Sequence, residues 1–170
     1  MRTTIRILAA CLGLAVAGAA ILGRDRIWTL VAGPADLGLV DFATLEPPAS
    51  PNHFLACPKG YCRLAHADMV SPSYEVSAAQ LQRTARRAWA AEPRLKHVDG
   101  SLATRRDRYI ERTAVMRFPD TISVRFIALG ADQSTLAIYS RSQIGYSDLG
   151  VNKARVIRWL SLLKGALARG

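Results

Sequence analysis

The polar chemistry of this chain gathers in two short stretches. The first is "SRSQIGYSDLGVN", residues 140–152, followed at once by Lys153 and, two positions on, Arg155. Ser140, Ser142 and Ser147 supply hydroxyls, Asp148 a carboxylate and Asn152 an amide. Arg141, Lys153 and Arg155 supply cations. Three roles suit that set. As a hinge, Gly145 and Gly150 permit tight turns, Ser147 and Asp148 bond local backbone, and Arg141 pairs with Asp148. As an anion site, the amino end of a following helix offers free N–H groups ringed by Arg141, Lys153 and Arg155, with the serines adding hydrogen bonds. As the centre of a hydrolase, a serine needs a base beside it. The histidines, His53, His66 and His97, stand far off in sequence, and no spacing ties them to a serine. Lys153 and Arg155 also oppose the dipole of a helix that starts at this point, so the stretch is not optimised for stability alone.

The second stretch reads H-x3-C-x4-C-x3-H over His53, Cys57, Cys62 and His66. A Cys57–Cys62 disulfide, a pair of free thiols and a tetrahedral zinc site on all four side chains are the three readings. An oxidising compartment favours the disulfide. The sequence has no glycine-rich phosphate loop, no recognisable paired-carboxylate spacing and no nucleophile elbow, and it implies no cofactor.

The amino terminus decides the compartment. Arg2 and Arg6 precede an uncharged run from Ile7 to Gly23, and Arg24 and Arg26 follow it. That run is near the lower limit for a bilayer span and slightly long for a signal-peptide core. Residues 1–26 are therefore predicted to be a membrane anchor or a signal segment, with cleavage after Ala19 as the alternative. "LAAC" at 8–11 resembles a lipoprotein cleavage box but is rejected, because only Ile7 of the uncharged run precedes it and the run continues well past Cys11. Arg2 and Arg6 should hold the amino end in the cytoplasm and send the rest outward. The formal net charge of +10 has two readings, a solvated, arginine-rich surface, which is preferred, and attraction to anionic surfaces such as lipid headgroups, polyanions or nucleic acid. Nucleic acid is a poor partner for an exported domain. Trp28 fits an interfacial anchor, while Trp89 and Trp159 suit an interface or a core better than a ligand-stacking role.

The elements that must position these residues follow from periodicity. Residues 27–50, rich in Pro and Gly, read as an extended connector in which Leu37, Leu39, Val40 and Phe42 lie against the domain. Ser77 and Gln80 make a capping box for a helix whose apolar face carries Leu81, Ala85, Ala88 and Trp89, and Pro93 ends it. A strand meander follows. "RLKHV" precedes a turn signal at Asp99-Gly100. Even positions are then apolar at Ile110, Ala114, Met116 and Phe118, at Ile122, Val124, Phe126 and Ala128, and at Leu136 and Ile138. If even positions meet even positions, Pro119–Thr121 serves as a three-residue loop and the Gly130–Gln133 region needs three or five loop residues. The odd positions Glu111, Thr113, Arg117, Ser123, Arg125, Thr135, Tyr139 and Arg141 form a polar face. Val156, Leu160, Leu163 and Leu167 stripe a last helix, capped by Asn152 or Asp148. The prediction is an α+β domain over 51–168, with an antiparallel sheet of about four strands and helices on one face.

The segment from Asp120 to Leu160, with "FPDTISVRF" and "DLGLVDFATLEPPASPNHFLACP" upstream, resembles the domain of unknown function 1499 family. That family's pattern is a strand ending "SRSR-G-SD-GVN", then a basic helix. Gln143 departs from it, since a basic residue is common there. The cysteine pair is not part of the resemblance. The likeness implies exported, often membrane-anchored bacterial proteins, with relatives in plastids, and no established activity. The expectation is a single inner-membrane span with a periplasmic domain that binds an anionic ligand, a headgroup or a membrane-protein partner. The alternatives are an envelope hydrolase built on 140–152 and a structural accessory of a membrane complex.

Overall fold

The computed structural model describes Ile7 and residues 23–169. The uncharged run is therefore outside the described residues except for its two ends. Among the described residues, no helix is long and apolar enough to cross a membrane.

The described part of helix α1 covers residues 23–32, so the first part of the expected connector is helical, and only the chain beyond it runs extended. The strands are β1 (His53–Cys57), β2 (Met69–Val70), β3 (Ser73–Tyr74), β4 (Leu95–Ser101), β5 (Arg106–Arg112), β6 (Pro119–Ala128) and β7 (Ser134–Ser142). Helices α2 (Ala78–Trp89) and α3 (Val151–Leu167) complete the domain. The fold is α+β as expected, but the sheet has seven strands rather than about four, in the order β2-β1-β7-β6-β5-β4 with β3 beside β1 on the same edge of β7. The four-strand antiparallel meander is β4 to β7. The extra strands β1 to β3 were too short to show a period, and β1 with β2 forms a parallel pair.

The meander's boundaries differ from the sequence reading. Pro119–Thr121 is not a loop: β6 starts at Pro119 and the β5–β6 loop is 113–118. Ala114 and Met116 are exposed in that loop, so the even-numbered period stops at Ile110. Tyr109 pairs with Ile122 and Asp107 with Val124, which joins odd positions to even ones. On the helix side β5 therefore presents Asp107, Tyr109 and Glu111. Asp99-Gly100 lies inside β4 at a register shift, not at a turn. Gly100 is small for a packing reason, because a Cβ there would stand 2.2 Å from Asp107 Oδ1. The β6–β7 hairpin keeps the expected parity, Ala128 opposite Ser134 across the loop 129–133.

Both faces of the sheet are covered. On one, α2 and α3 close a core of Leu81, Ala85, Trp89, Phe126, Ile138, Val156, Trp159 and Leu163. Trp89 stacks on Trp159 at 4.6 Å and donates to the Trp159 carbonyl at 2.9 Å. Ser77 caps α2 through Gln80 N–H, as the capping box predicts. On the other face, Phe42, Leu55, Cys57, Ala137 and Tyr139 form a second core, with Val40 and Leu45 of the connector packed on it. The face expected to be polar is thus partly roofed by the connector, whose Val40 and Phe42 lie against the domain as expected.

Candidate functional site

Strand alternation divides residues 140–143 between the two faces of the sheet. The odd positions hold the connector. Arg141 Nη2 donates to the Leu37 carbonyl at 3.1 Å, with its guanidinium 5.7 Å from the Tyr139 ring centroid. Gln143 Nε2 donates to the carbonyls of Ala32 and Pro34 at 2.7 and 2.8 Å. The even positions hold α3. Ser140 Oγ donates to Asn152 Oδ1 at 2.6 Å, and Asn152 Nδ2 donates to Ser142 Oγ and the Asn52 carbonyl, both at 3.0 Å.

Arg155 sits at the centre of this buried cluster with 1% of its side chain exposed. Its Nε meets Glu111 Oε2 at 3.0 Å and its Nη2 meets Asp120 Oδ2 at 2.5 Å. Its Nη1 donates to Ser140 Oγ at 2.9 Å and Asn152 Oδ1 at 2.6 Å. Burial raises the Asp120 pKa, an effect that the Arg155 charge and the hydrogen bonds from Ser142 and Arg155 only partly offset. At the start of α3, Asp148 accepts from Asn152 N–H at 2.7 Å and Gly150 N–H at 3.0 Å. Gly150 takes a φ of +82°, and Ser147 Oγ accepts from Leu149 N–H. The N-cap is Gly150, so neither expected residue stands at the cap; Asp148, two positions earlier, bonds the first-turn Asn152 N–H, and Asn152 is buried within the helix. Arg141 lies across the sheet from Ser140, and Arg155 points inward against carboxylates, while Lys153 stays exposed. The eight residues are near one another in sequence, but their cations do not converge.

Cys57 and Cys62 form a disulfide, with Cα atoms 6.3 Å apart. Both sulfurs are consumed by it, and His53 Nδ1 lies 3.0 Å from the Ser50 carbonyl with its ring against Tyr139. Among the described residues, no cluster of His, Cys, Asp and Glu is arranged to hold a metal ion.

Cations do converge elsewhere, on the face crossed by the connector. The connector is tied down in the middle, where Asp36 takes a two-pronged hydrogen bond from Arg108 at 2.6 and 2.9 Å. Burial opposes ionisation of Asp36, but Arg108 and the Gly38 N–H outweigh it and hold its pKa below 3.8. On one side of this tie is a cleft of about 200 Å³, roofed by Leu39, Val40 and Phe42 over Arg106, Arg108 and Ser123. On the other side a wider groove of about 470 Å³ runs beside α1. Val98 and Ile110 line it, with Arg94, Lys96, Arg112 and Arg117 around them and Asp25 and Asp36 opposite. Asp25 pairs with Arg117 at 2.8 Å and Arg112 at 3.2 Å. The Arg117 hydrogen bond, reinforced by the nearby arginine charges, holds the Asp25 pKa below 3.8 despite partial burial. Four cations against two carboxylates leave this groove positive. The alternating pattern named Arg117 only as one member of a polar face. Arg94 and Arg112 carried no signal, because the connector that frames them crosses from far upstream.

A family model described as "Protein of unknown function (DUF1499)" matches residues 45–163. Among curated proteins, none matches this chain. Among solved structures, the crystal structure of the di-domain ARO/CYC BexL from the BE-7585A biosynthetic pathway aligns with a TM-score of 0.44 at 11% identity. The alignment covers 58% of this chain and 45% of that one, so less than half of that structure's length is spanned. With most of its length matched by the family model, the chain belongs to the DUF1499 family.

Proposed function

We propose that this DUF1499 family member is a membrane-anchored envelope domain that binds an anionic, lipid-like ligand in the groove beside α1. The observation that carries the reading is the composition of that groove, an apolar lining from Val98 and Ile110 within an excess of cations from Arg94, Lys96, Arg112 and Arg117. Apolar surface beside unneutralised positive charge suits an amphiphile with an acidic head. The groove borders α1, whose described residues start at Gly23, the last residue of the uncharged run Ile7–Gly23. If that run spans the inner membrane, the groove opens near the headgroups and its ligand is within reach without crossing water. Each cation near an anionic surface contributes about 1 kcal/mol at physiological salt.

Lys96 is the residue to change, because it is exposed on the edge strand β4 and belongs to no ion pair among the described residues. Lys96→Glu should weaken phosphatidylglycerol binding by about 2 kcal/mol, roughly thirtyfold, and leave the melting temperature nearly unchanged. Native mass spectrometry of the detergent-extracted full chain, titrated with phosphatidylglycerol, phosphatidylcholine and inorganic phosphate, gives the readout. Equal retention of both lipids, or a Lys96→Glu chain that binds like wild type, would sink the reading. Binding of free phosphate with the same Lys96 dependence would assign the groove to a soluble anion instead.

A further inference from the structure

The β5–β6 loop turns its apolar side chains out and its backbone in. Val115 is 71% exposed and Met116 49% exposed. Their carbonyls are nonetheless taken by side chains from elsewhere. Val115 O accepts from Arg24 Nη1 at 2.5 Å and Met116 O from Trp28 Nε1 at 2.6 Å. Arg117 O accepts from Arg112 Nη1 at 3.1 Å. The base of the loop is closed by Thr113 and Phe118, whose backbone and hydroxyl groups bond at 3.0 Å in both directions. A loop in water has no need of such donors, because water satisfies its carbonyls. A loop at the border of hydrocarbon does need them, since an unsatisfied carbonyl there costs several kcal/mol.

Position along α1 points the same way. Arg24 and Trp28 stand one and five residues beyond Gly23, where the uncharged run ends. At the helical rise these contacts lie roughly 1.5 and 7.5 Å past that end. The headgroup zone on one side of a bilayer is roughly 5–7.5 Å thick, so Arg24 falls inside it and Trp28 at its outer edge. Trp28, packed on Phe118 at 4.6 Å, has an aromatic body and a polar edge suited to that zone. Arg26 is exposed beside it, available to phosphates, and Arg24 is exposed too with donors beyond the one given to Val115 O.

We infer that Val115 and Met116 enter the leaflet from which α1 emerges and form a second attachment point of the domain. The occupant of this apolar tip is lipid rather than protein, because its backbone is satisfied internally and it borders the uncharged run. Two attachments fix the domain's tilt. They also set the groove at the membrane surface, since Asp25, Arg112 and Arg117 belong to both the loop's supports and the groove lining. The inference rests on the anchoring proposed above.

The test uses the full chain in the Cys11→Ser background, with Met116→Cys carrying an environment-sensitive fluorophore, reconstituted in phosphatidylcholine vesicles with and without phosphatidylglycerol. Asp132→Cys, in the hairpin loop at the far end of β6, is the reference site. Unchanged melting and an intact Cys57–Cys62 bond establish that both labelled chains are folded. At position 116 the emission should shift to the blue, and lipids spin-labelled near the headgroup should remove most of the fluorescence. At position 132 neither should happen. A chain that floats with the vesicles but stays open to aqueous iodide at 116 overturns the loop contact and leaves the anchor standing. Shielding from iodide without quenching by the spin-labelled lipids assigns the tip to a protein partner and also overturns it. Failure of the chain to float overturns the anchor, and the loop contact with it.

Discussion

Arg155 carries a full charge into a site closed to water, and its surroundings show why it stays there. A guanidinium offers five N–H donors in a fixed plane, and here they meet Glu111, Asp120, Ser140 and Asn152 from four separate elements or segments. Removing a buried charge from water costs several kcal/mol, so the cluster holds only because most of its members are paired. Losing the cation leaves Glu111 and Asp120 facing each other without compensation, although Arg158 still reaches Glu111 from its outer side at 3.5 Å. Arg155→Ala should therefore destabilise the domain by about 3–5 kcal/mol in urea unfolding. Arg155→Lys should recover less than half of that, because an ammonium cannot satisfy acceptors spread around a plane. A loss below about 1 kcal/mol for Arg155→Ala would show the pair to be no better than a surface ion pair. The same residue was the sequence's most misleading cation. Its place in the first turn of α3 suggested a free charge for an anion, and its two carboxylates are far away in sequence, at 111 and 120.

At the scale of elements, what was legible depended on whether burial followed from local pattern. The capping box and apolar face of α2, the stripe of α3 and the parity of the β6–β7 hairpin were all readable, because each element buries its own hydrophobic side chains. Strand β5 was not. It turns Asp107 and Glu111 to the helices, where Arg86 and Arg155 meet them, and polar residues buried in ion pairs break the alternation. Met116 and Ala114 meanwhile imitate the period in a loop. Helix α1 was hidden in a connector for a related reason: beside the single aromatic contact of Trp28 on Phe118, it docks through ion pairs of Asp25 with Arg112 and Arg117. That docking makes a pH prediction. The native pKa of Asp25 lies below its ordinary 3.8, so the docked helix is favoured by the ionised form. Its contribution is fully present above 3.8 and is lost as pH falls through the lowered native value. In a fluorotryptophan-labelled chain, the Trp28 resonance should move on acidification through that window while Trp89 and Trp159, in the core, stay in place. Asp25→Asn should bring Trp28 close to its acid position already at neutral pH. A Trp28 signal indifferent to both changes would mean that the ion pairs do not hold α1.

For the whole molecule, the proposed anchor implies that the domain faces one side of a membrane, and the reading from Arg2 and Arg6 that it faces outward is weakened by the cations beyond the run. Arg2 and Arg6 flank one end of the uncharged run and Arg24 and Arg26 the other, so the count of cations is even. Two structural features bear on the proposed outward orientation. Arg24 is engaged with the Val115 carbonyl, which anchors it to a folded domain. Cys57 and Cys62 are joined, and such bonds persist in oxidising compartments, not in the cytoplasm of ordinary cells. The loop they close is short, so the bond contributes only about 2 kcal/mol. Its value as a marker of location is greater than its value for stability. An alkaline phosphatase reporter fused after Gly170 should therefore be active in intact cells, while a reporter that works only in the cytoplasm should be silent. In the same cells, maleimide should leave Cys57 and Cys62 unmodified until a reductant is added. An active cytoplasmic reporter, with both thiols open to maleimide, would place the domain inside, and the basic groove would then face the lipids of the cytoplasmic leaflet.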